Sequence, residues 1–292
     1  MSQKIYEIVT NRIIEQLEQG VIPWRKPWKG GKSPCNLISG KPYRGINAIV
    51  CFLTTFKEGF NSPFWLTFKQ AKRLGGNVKK GEKGIPIIFW KWFDSTDKDT
   101  GKPCKVPCVR YYTAFNLDQC ENIPESKIPQ DKGLDFKPVE QAEKLVNNWL
   151  GKPEIRHSGD IACYSPALDY INMPEPCRFT SVDGYYSTLF HELTHSTGHP
   201  NRLGRFEQNA VNGFGSDSYS KEELIAEIGA ALLCMQCGID SADLQKNQAA
   251  YVANWLRALK DDRRLLVNAG QAAQKAVDLI NGINRKKGGN ND

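Results

Sequence analysis

A chain of 292 residues holds one large domain or two modest ones. With 40% hydrophobic and 24% charged residues it is able to bury a core, which excludes a disordered tail. No apolar run approaches the roughly 18 to 20 residues that span a bilayer, and the first twenty residues lack a signal peptide's apolar centre, so the expected location is the cytoplasm.

The net charge of +7 is unevenly spread. Residues 1–130 hold 21 Lys+Arg against 11 Asp+Glu, whereas the remainder holds 18 against 21. A basic half joined to a mildly acidic half points to a polyanion met by the first half alone. The nine cysteines are odd in number and scattered, and read as reduced thiols. Neither Cys104/Cys108 nor the CxxC of Cys234/Cys237 has a second pair to complete a tetrahedral zinc knuckle.

In chain order, an amphipathic helix is expected over about Tyr6–Glu18, ending at Gly20 and followed by the irregular PWRKPW. Helices are expected at Asn47–Phe56 and Phe68–Leu74. Strands at Ile85–Phe93 and Val109–Asn116 flank the turn-rich DSTDKDTGKP, which reads as a long hairpin loop. The stretch Glu121–Pro138, with Pro124, Pro129 and Pro138 and no apolar periodicity, reads as a linker. It separates a domain at 1–128 from one at 136–292. The second domain is expected to be mainly helical with a small sheet: a helix at Pro138–Leu150, strands at Glu154–His157 and Ile161–Asn172, then helices at Tyr185–Thr197, Ser220–Cys237, 241–260 and 262–282. The whole is α+β.

The local feature with most chemistry is His191-Glu192-Leu193-Thr194-His195. Residues four apart share a helix face, so both imidazoles are able to point at one cation. Glu192, beside the first of them, is placed to hold a water and accept its proton, the HExxH logic of metal-assisted hydrolysis. Three of the four histidines fall at 191, 195 and 199. His199 is not the expected third ligand: on a continued helix it would stand roughly 12 Å from His191. The helix SKEELIAEIGAALL supplies Glu223 and Glu227, four apart on one face, with the small Ala226 and Ala230 allowing close approach to the HExxH helix. A His-His-Glu site of the gluzincin kind takes one carboxylate from such a helix and uses another acid to hold a ligand imidazole. Glu223 is assigned as ligand, with Glu227 as the alternative. The expected ion is Zn2+, with another divalent ion such as Mn2+ also suited. Tyr185, Tyr186 and Tyr219 are alternatives for a donor to an oxyanion, and a strand preceding the metal helix is suited to pairing with an extended peptide.

The first half interleaves flat rings with cations: Trp24, Lys26, Trp28, Tyr43, Arg44, Trp65, Lys69, Lys79, Lys80, Lys83, Trp90 and Lys91. Rings that stack on bases beside cations that follow phosphates make a surface for single-stranded nucleic acid. A solvated basic face with most rings in the core is the plainer alternative.

The segments PWRKPW, YRGINAIV, WLTFKQAKRLGGNVKKGEKG, FNLDQ, HELTHSTGH with NRLGR, and KEELIAEIGAALLC together resemble the ArdC-type antirestriction proteins of conjugative plasmids. The resemblance runs along nearly the whole chain. It implies an N-terminal single-stranded-DNA-binding domain, also found fused to plasmid primases, and a C-terminal zincin-like metallopeptidase domain. It further implies protection of incoming plasmid DNA from restriction in a recipient cell, with restriction-system or other DNA-associated proteins as peptide substrates. Carried over by residue, it supports His191, Glu192, His195 and a carboxylate of EELIAE, and it leaves Glu223 against Glu227 open. A single-strand-coating protein with a purely structural metal is the competing reading. A nuclease is disfavoured, since such sites prefer several carboxylates around Mg2+.

Overall fold

The computed structural model describes residues 2–18, 22, 33–96, 103–129, 138–206, 217–239 and 248–283. The chain divides into two compact units, Met1–Glu15 with Ser33–Lys132, and Gln16–Lys32 with Gly133–Asp292. Among the described residues no helix is long and apolar enough to cross a membrane.

Helix α1 (Ser2–Glu18) buries Tyr6, Val9, Ile13 and Leu17, one stripe at helical spacing. Then follow β1 (Cys35–Asn36), α2 (Ile46–Glu58), β2 (Phe64–Thr67), the short α3 (Phe68–Arg73), β3 (Asn77–Val78), β4 (Ile85–Thr96), β5 (Pro103–Asn116) and β6 (Cys120–Glu121). Four strands form a sheet in the order β1-β2-β5-β4, and β3 pairs with β6. Because β4 lies at the sheet edge, its outward backbone groups need partners. Asn47 of α2 supplies them at Ile88: its amide donates to Ile88 O at 2.6 Å and accepts from Ile88 N at 3.0 Å. Polar motifs at the strand ends serve as caps. Thr67 and Gln70 close a capping box at α3, and Asn116 and Gln119 of FNLDQ close another at the 3-10 turn after β5.

Two expectations need correction in this unit. The β4–β5 ladder runs from Ile85–Ala114 to Thr96–Pro103, so Asp94, Ser95 and Thr96 belong to the strand and not to a long loop. A two-stranded ribbon continues wherever both arms offer free N–H and C=O groups, whatever the charge of the side chains. Nor is Glu121–Pro138 a linker throughout. Ile123 and Ile128 pack on the cluster of Leu37, Phe64, Leu66 and Ala71, and Glu121 pairs with Asn77. Isolated apolar anchors carry no periodicity and yet fasten a segment.

The second unit holds α4 (Pro138–Asn148), β7 (Glu154–His157), β8 (Cys163–Ser165), β9 (Tyr170–Met173), α5 (Val182–Ser196), α6 (Asp217–Cys237), α7 (Gln248–Asp261) and α8 (Leu265–Ile280). Its sheet has the order β7-β9-β8, with β9 parallel to β7 and antiparallel to β8. The single strand expected over Ile161–Asn172 is therefore a hairpin. Pro166 lacks an N–H for a ladder, and Asp169 takes a left-handed φ of 49°, so the chain turns between them.

Helix α5 starts at Ser181, whose hydroxyl accepts from Gly184 N at 2.9 Å. It lies against α6, a central helix that is apolar around its middle turns: Leu224, Ala226, Ile228, Ala230, Ala231 and Leu233 are all buried. The two helices approach closely at Gly229, where a Cβ would stand 2.4 Å from Thr194 Cγ2. Only glycine admits this approach, and it brings the first turns of α6 beside the histidines of α5.

Candidate functional site

Helical spacing puts His191 and His195 on one face of α5, and their Nε2 atoms stand 3.1 Å apart. Glu223 of α6 faces both, with Oε2 3.5 Å from His191 Nε2 and Oε1 3.4 Å from His195 Nε2. One ligand atom from each of the three lies within 4.8 Å of the others. Ligands held at roughly 2.0 Å around a tetrahedral ion stand roughly 3.3 Å from one another, so the donor set fits a divalent cation. Glu227 faces the other nitrogen of His191 instead: Oε1 is 3.9 Å from Nδ1, a buried atom with no hydrogen-bond partner among the described residues.

The electrostatics agree with such a cluster. Burial pushes His195 down, but the carboxylates of Glu222 and Glu223 more than offset it and hold the imidazole well above its ordinary 6.5. His191 is raised in the same way, burial being outweighed chiefly by Glu223. Burial would raise Glu223, and the two imidazoles instead hold it well below the usual carboxylate range. Imidazoles and carboxylate so placed each favour the charged form of the other.

Glu192 is buried beside this cluster, and its Oε2 accepts from the backbone N–H of Tyr164 in β8 at 2.7 Å. Glu222, which the sequence reading passed over, faces His195 Nδ1 and is gripped by Arg205. His199 does not join the cluster; its Nδ1 accepts from Asn201 N at 3.2 Å in the turn after α5. Among the tyrosines weighed as oxyanion donors, Tyr186 is buried and donates to Glu143. Tyr185 pairs its hydroxyl with His157 Nε2 at 3.0 Å, and the side chain of Tyr219 lies outside the described residues. Cys234 and Cys237 are buried thiols in α6 outside any disulfide, the latter pushed up to about 12 by burial.

On the first unit, Lys69, Lys79, Lys80 and Lys83 are exposed, Lys79 donating to Asp118 O at 2.9 Å. Tyr43 and Arg44 are half-buried, and burial pushes the Tyr43 phenol up. Trp65 is a correction: it is fully buried, edge-on to Phe60 at 6.3 Å, because β2 is an inner strand covered on both faces. No base could stack on it. Trp24, Lys26 and Trp28 lie outside the described residues, as do the side chains of Trp90 and Lys91. Among the described residues of this unit, the exposed rings are Phe68, Phe89, Phe93 and Tyr111. Arg110 lies over Phe93 at 5.8 Å, and Lys72 over Phe68 at 5.9 Å.

Residues 3–115 match the family described as the N-terminal domain of anti-restriction factor ArdC, and residues 140–272 match a zincin-like metallopeptidase family. The metal-free crystal structure of the antirestriction protein ArdC from plasmid R388 aligns with a TM-score of 0.74 and 42% identity, over 94% of this chain and 96% of that one. The chain belongs to the ArdC antirestriction family. The Mn(II)-bound structure of the R388 ArdC protein aligns equally well, with a TM-score of 0.75 and 40% identity over 95% of this chain and 97% of that one. A relative of similar length is the uncharacterized protein y4eC of Sinorhizobium fredii (strain NBRC 101917 / NGR234), 34% identical over 94% of this chain and 91% of its own. Two DNA primases TraC of Escherichia coli are 38% and 36% identical over 98% and 97% of this chain, which spans only 28% and 20% of their length. The ArdC resemblance read from the sequence is thus correct, as is the α+β class.

Proposed function

We propose that this protein binds single-stranded DNA through its first unit and carries a divalent-metal hydrolytic centre in its second, and that it protects incoming plasmid DNA from restriction. The observation that carries the second part is the convergence of His191, His195 and Glu223, with Glu192 alongside. These three residues hold the ion, zinc or manganese; the Mn(II)-bound form of the R388 relative supports manganese as an occupant. When bound, the cation supplies Lewis acidity toward a peptide carbonyl. Glu192 orients a water and takes its proton at a carboxylate oxygen. Glu222 fixes His195 through Nδ1, and Glu227 is the nearest acid to the corresponding nitrogen of His191. The N-terminal part of the proposal draws on the exposed lysines and on Phe68, Phe89, Phe93 and Tyr111, which join base-stacking surface to cations.

The test is Glu192→Gln in a conjugation assay against a restricting recipient. The substitution removes the proton acceptor and spares the ligands. Protection is expected to fall while DNA binding and metal content remain. If the variant protects as well as the native protein, the hydrolytic role is wrong. Coating by the first unit would then account for protection, a reading favoured by the exposed ring-and-cation surface, which needs no metal.

A further inference from the structure

Arg202 belongs to the NRLGR segment and, unlike Arg205 in the same segment, takes no part in the metal chemistry above. Its side chain is only 10% exposed and fully engaged. Nε donates to Ser196 O, at the end of α5, at 2.6 Å. Nη1 donates to Gly151 O at 3.3 Å and to Asp169 Oδ2 at 3.2 Å. Nη2 donates to Tyr164 Oη at 3.2 Å and to Asp169 Oδ1. Tyr164 Oη itself donates to Asp169 Oδ1 at 2.8 Å. One guanidinium therefore ties the metal-bearing helix to both ends of the β8–β9 turn.

Tyr164 is the link to the chemistry. Its hydroxyl sits in this network while its backbone N–H holds Glu192 Oε2 at 2.7 Å. Strand β8 has only three residues, and it lies at the sheet edge with β9 as its one neighbour. Ladder bonds alone restrain such a strand weakly across the edge, the direction in which Glu192 lies. Asp169 is suited to anchoring it. Burial would raise its carboxyl, but Arg202 and Tyr164 outweigh burial and hold it below the usual range, so it stays ionised. The same residue turns the chain with a left-handed φ of 49°, a conformation that Asp tolerates.

We propose that Arg202, Asp169 and Tyr164 form a clamp that sets the β8 edge against α5 and, through the Tyr164 amide, orients the Glu192 carboxylate. The consequence for catalysis rests on Glu192 being the proton acceptor. Tyr164 occupies Oε2 and leaves Oε1 for the water; a shift of the edge strand by about 1 Å would release Oε2 and let the carboxylate rotate, a misplacement large enough to matter for rate. Arg202 and Asp169 are positioning residues, acting through Tyr164.

The experiment uses the full chain loaded with Mn2+ for affinity and with Zn2+ for NMR. Tyr164→Phe deletes one hydroxyl and keeps the ring beside Phe206, its stacked neighbour at 6.2 Å. Arg202→Lys keeps the charge and loses the fork. In both variants exchange of the Tyr164 amide is expected to rise about tenfold or more. The β8–β9 ladder amides and those of α5 should stay protected, and Mn2+ affinity should remain within about threefold. Unchanged exchange at Tyr164 in both variants overturns the clamp. So does an equal rise across the ladder and α5, which marks general loosening. The Glu192→Gln conjugation result is read separately: full protection there removes the catalytic consequence, while amide exchange alone decides the clamp.

Discussion

Glu222 Oε1 stands 3.4 Å from His195 Nδ1, on the side of the imidazole opposite Glu223. Arg205 grips the same carboxylate through Nε at 2.9 Å and Nη2 at 2.7 Å, and also donates to Thr194 O and Thr197 Oγ1. A carboxylate at Nδ1 leaves Nε2 bare toward the cation and makes the ring a better donor. Arg205 in turn holds Glu222 ionised against its burial, helped by His195.

Glu222→Gln and Arg205→Lys are therefore expected to weaken divalent-metal binding by about 10- to 100-fold without unfolding the protein. Calorimetric titration with Mn2+ or Zn2+ measures the loss, and circular dichroism checks the fold. Native affinity in both variants would mean that packing alone orients His195.

Metal analysis of purified protein is expected to find about one equivalent of divalent ion per chain, as a three-ligand site requires. His191→Ala, His195→Ala and Glu223→Ala should each remove it. His199→Ala should retain it, because that imidazole faces its own turn. Glu227→Ala should only weaken it, since Glu227 meets Nδ1 and not Nε2 of His191. Loss of metal in Glu227→Ala equal to that in Glu223→Ala would reverse the two assignments.

The raised histidines and depressed glutamates give the metal-free protein a defined stability window. His191 and His195 have folded values above 6.5, so their contribution is complete below 6.5 and is lost as pH rises through the folded values. Glu222 and Glu223 lie below 4.5, so theirs is present above 4.5 and is lost as pH falls through the folded values. A bound cation takes the place of the protons and requires neutral imidazoles. The gap in Tm between metal-loaded and metal-free protein should widen from about pH 6 to about pH 8. Thermal melts with and without chelator measure it, and a constant gap would contradict the proton–metal exchange.

For the first unit, binding to single-stranded DNA should weaken with salt, and the slope of log K against log salt should fall by about 0.7 for each phosphate-contacting lysine replaced among Lys69, Lys80 and Lys83. Phe68→Ala or Phe89→Ala should cost about 1–3 kcal/mol of binding if a base stacks there. Trp65→Ala should instead cost about 3–5 kcal/mol of folding stability and leave the affinity of the folded fraction unchanged. Fluorescence anisotropy and chemical denaturation separate the two effects. A Trp65 variant that folds normally and fails to bind DNA would contradict its burial.

Much of the second unit was legible because its signals are local. The spacing of His191 and His195 is a property of any α-helix, and β7 coincides with the expected Glu154–His157, a short run ended by a turn. The β8–β9 hairpin was missed although Pro166 stood inside the expected strand, a residue that argues against a continuous ladder. In the first unit, ring-and-cation density marked a basic surface but could not tell Trp65 in the core from Phe89 and Phe93 in solvent. That distinction depends on which strands flank β2.

By itself, then, the sequence determined the periodic elements, the histidine pair with its adjacent glutamate, and the charge imbalance between the two halves, since each follows from residue identity at short spacing. Only the tertiary structure decided which acid meets which imidazole nitrogen. Glu222, Glu223 and Glu227 all lie in the N-terminal half of α6, and the rotation of that helix against α5 separates their roles. The contact of Gly229 with Thr194 sets that closeness, and Arg205 reaches back from the following loop to hold Glu222 in place. Arg202 likewise meets Asp169 and Tyr164 from more than thirty positions away. Such contacts are products of packing between elements, and spacing along the chain carries no record of them.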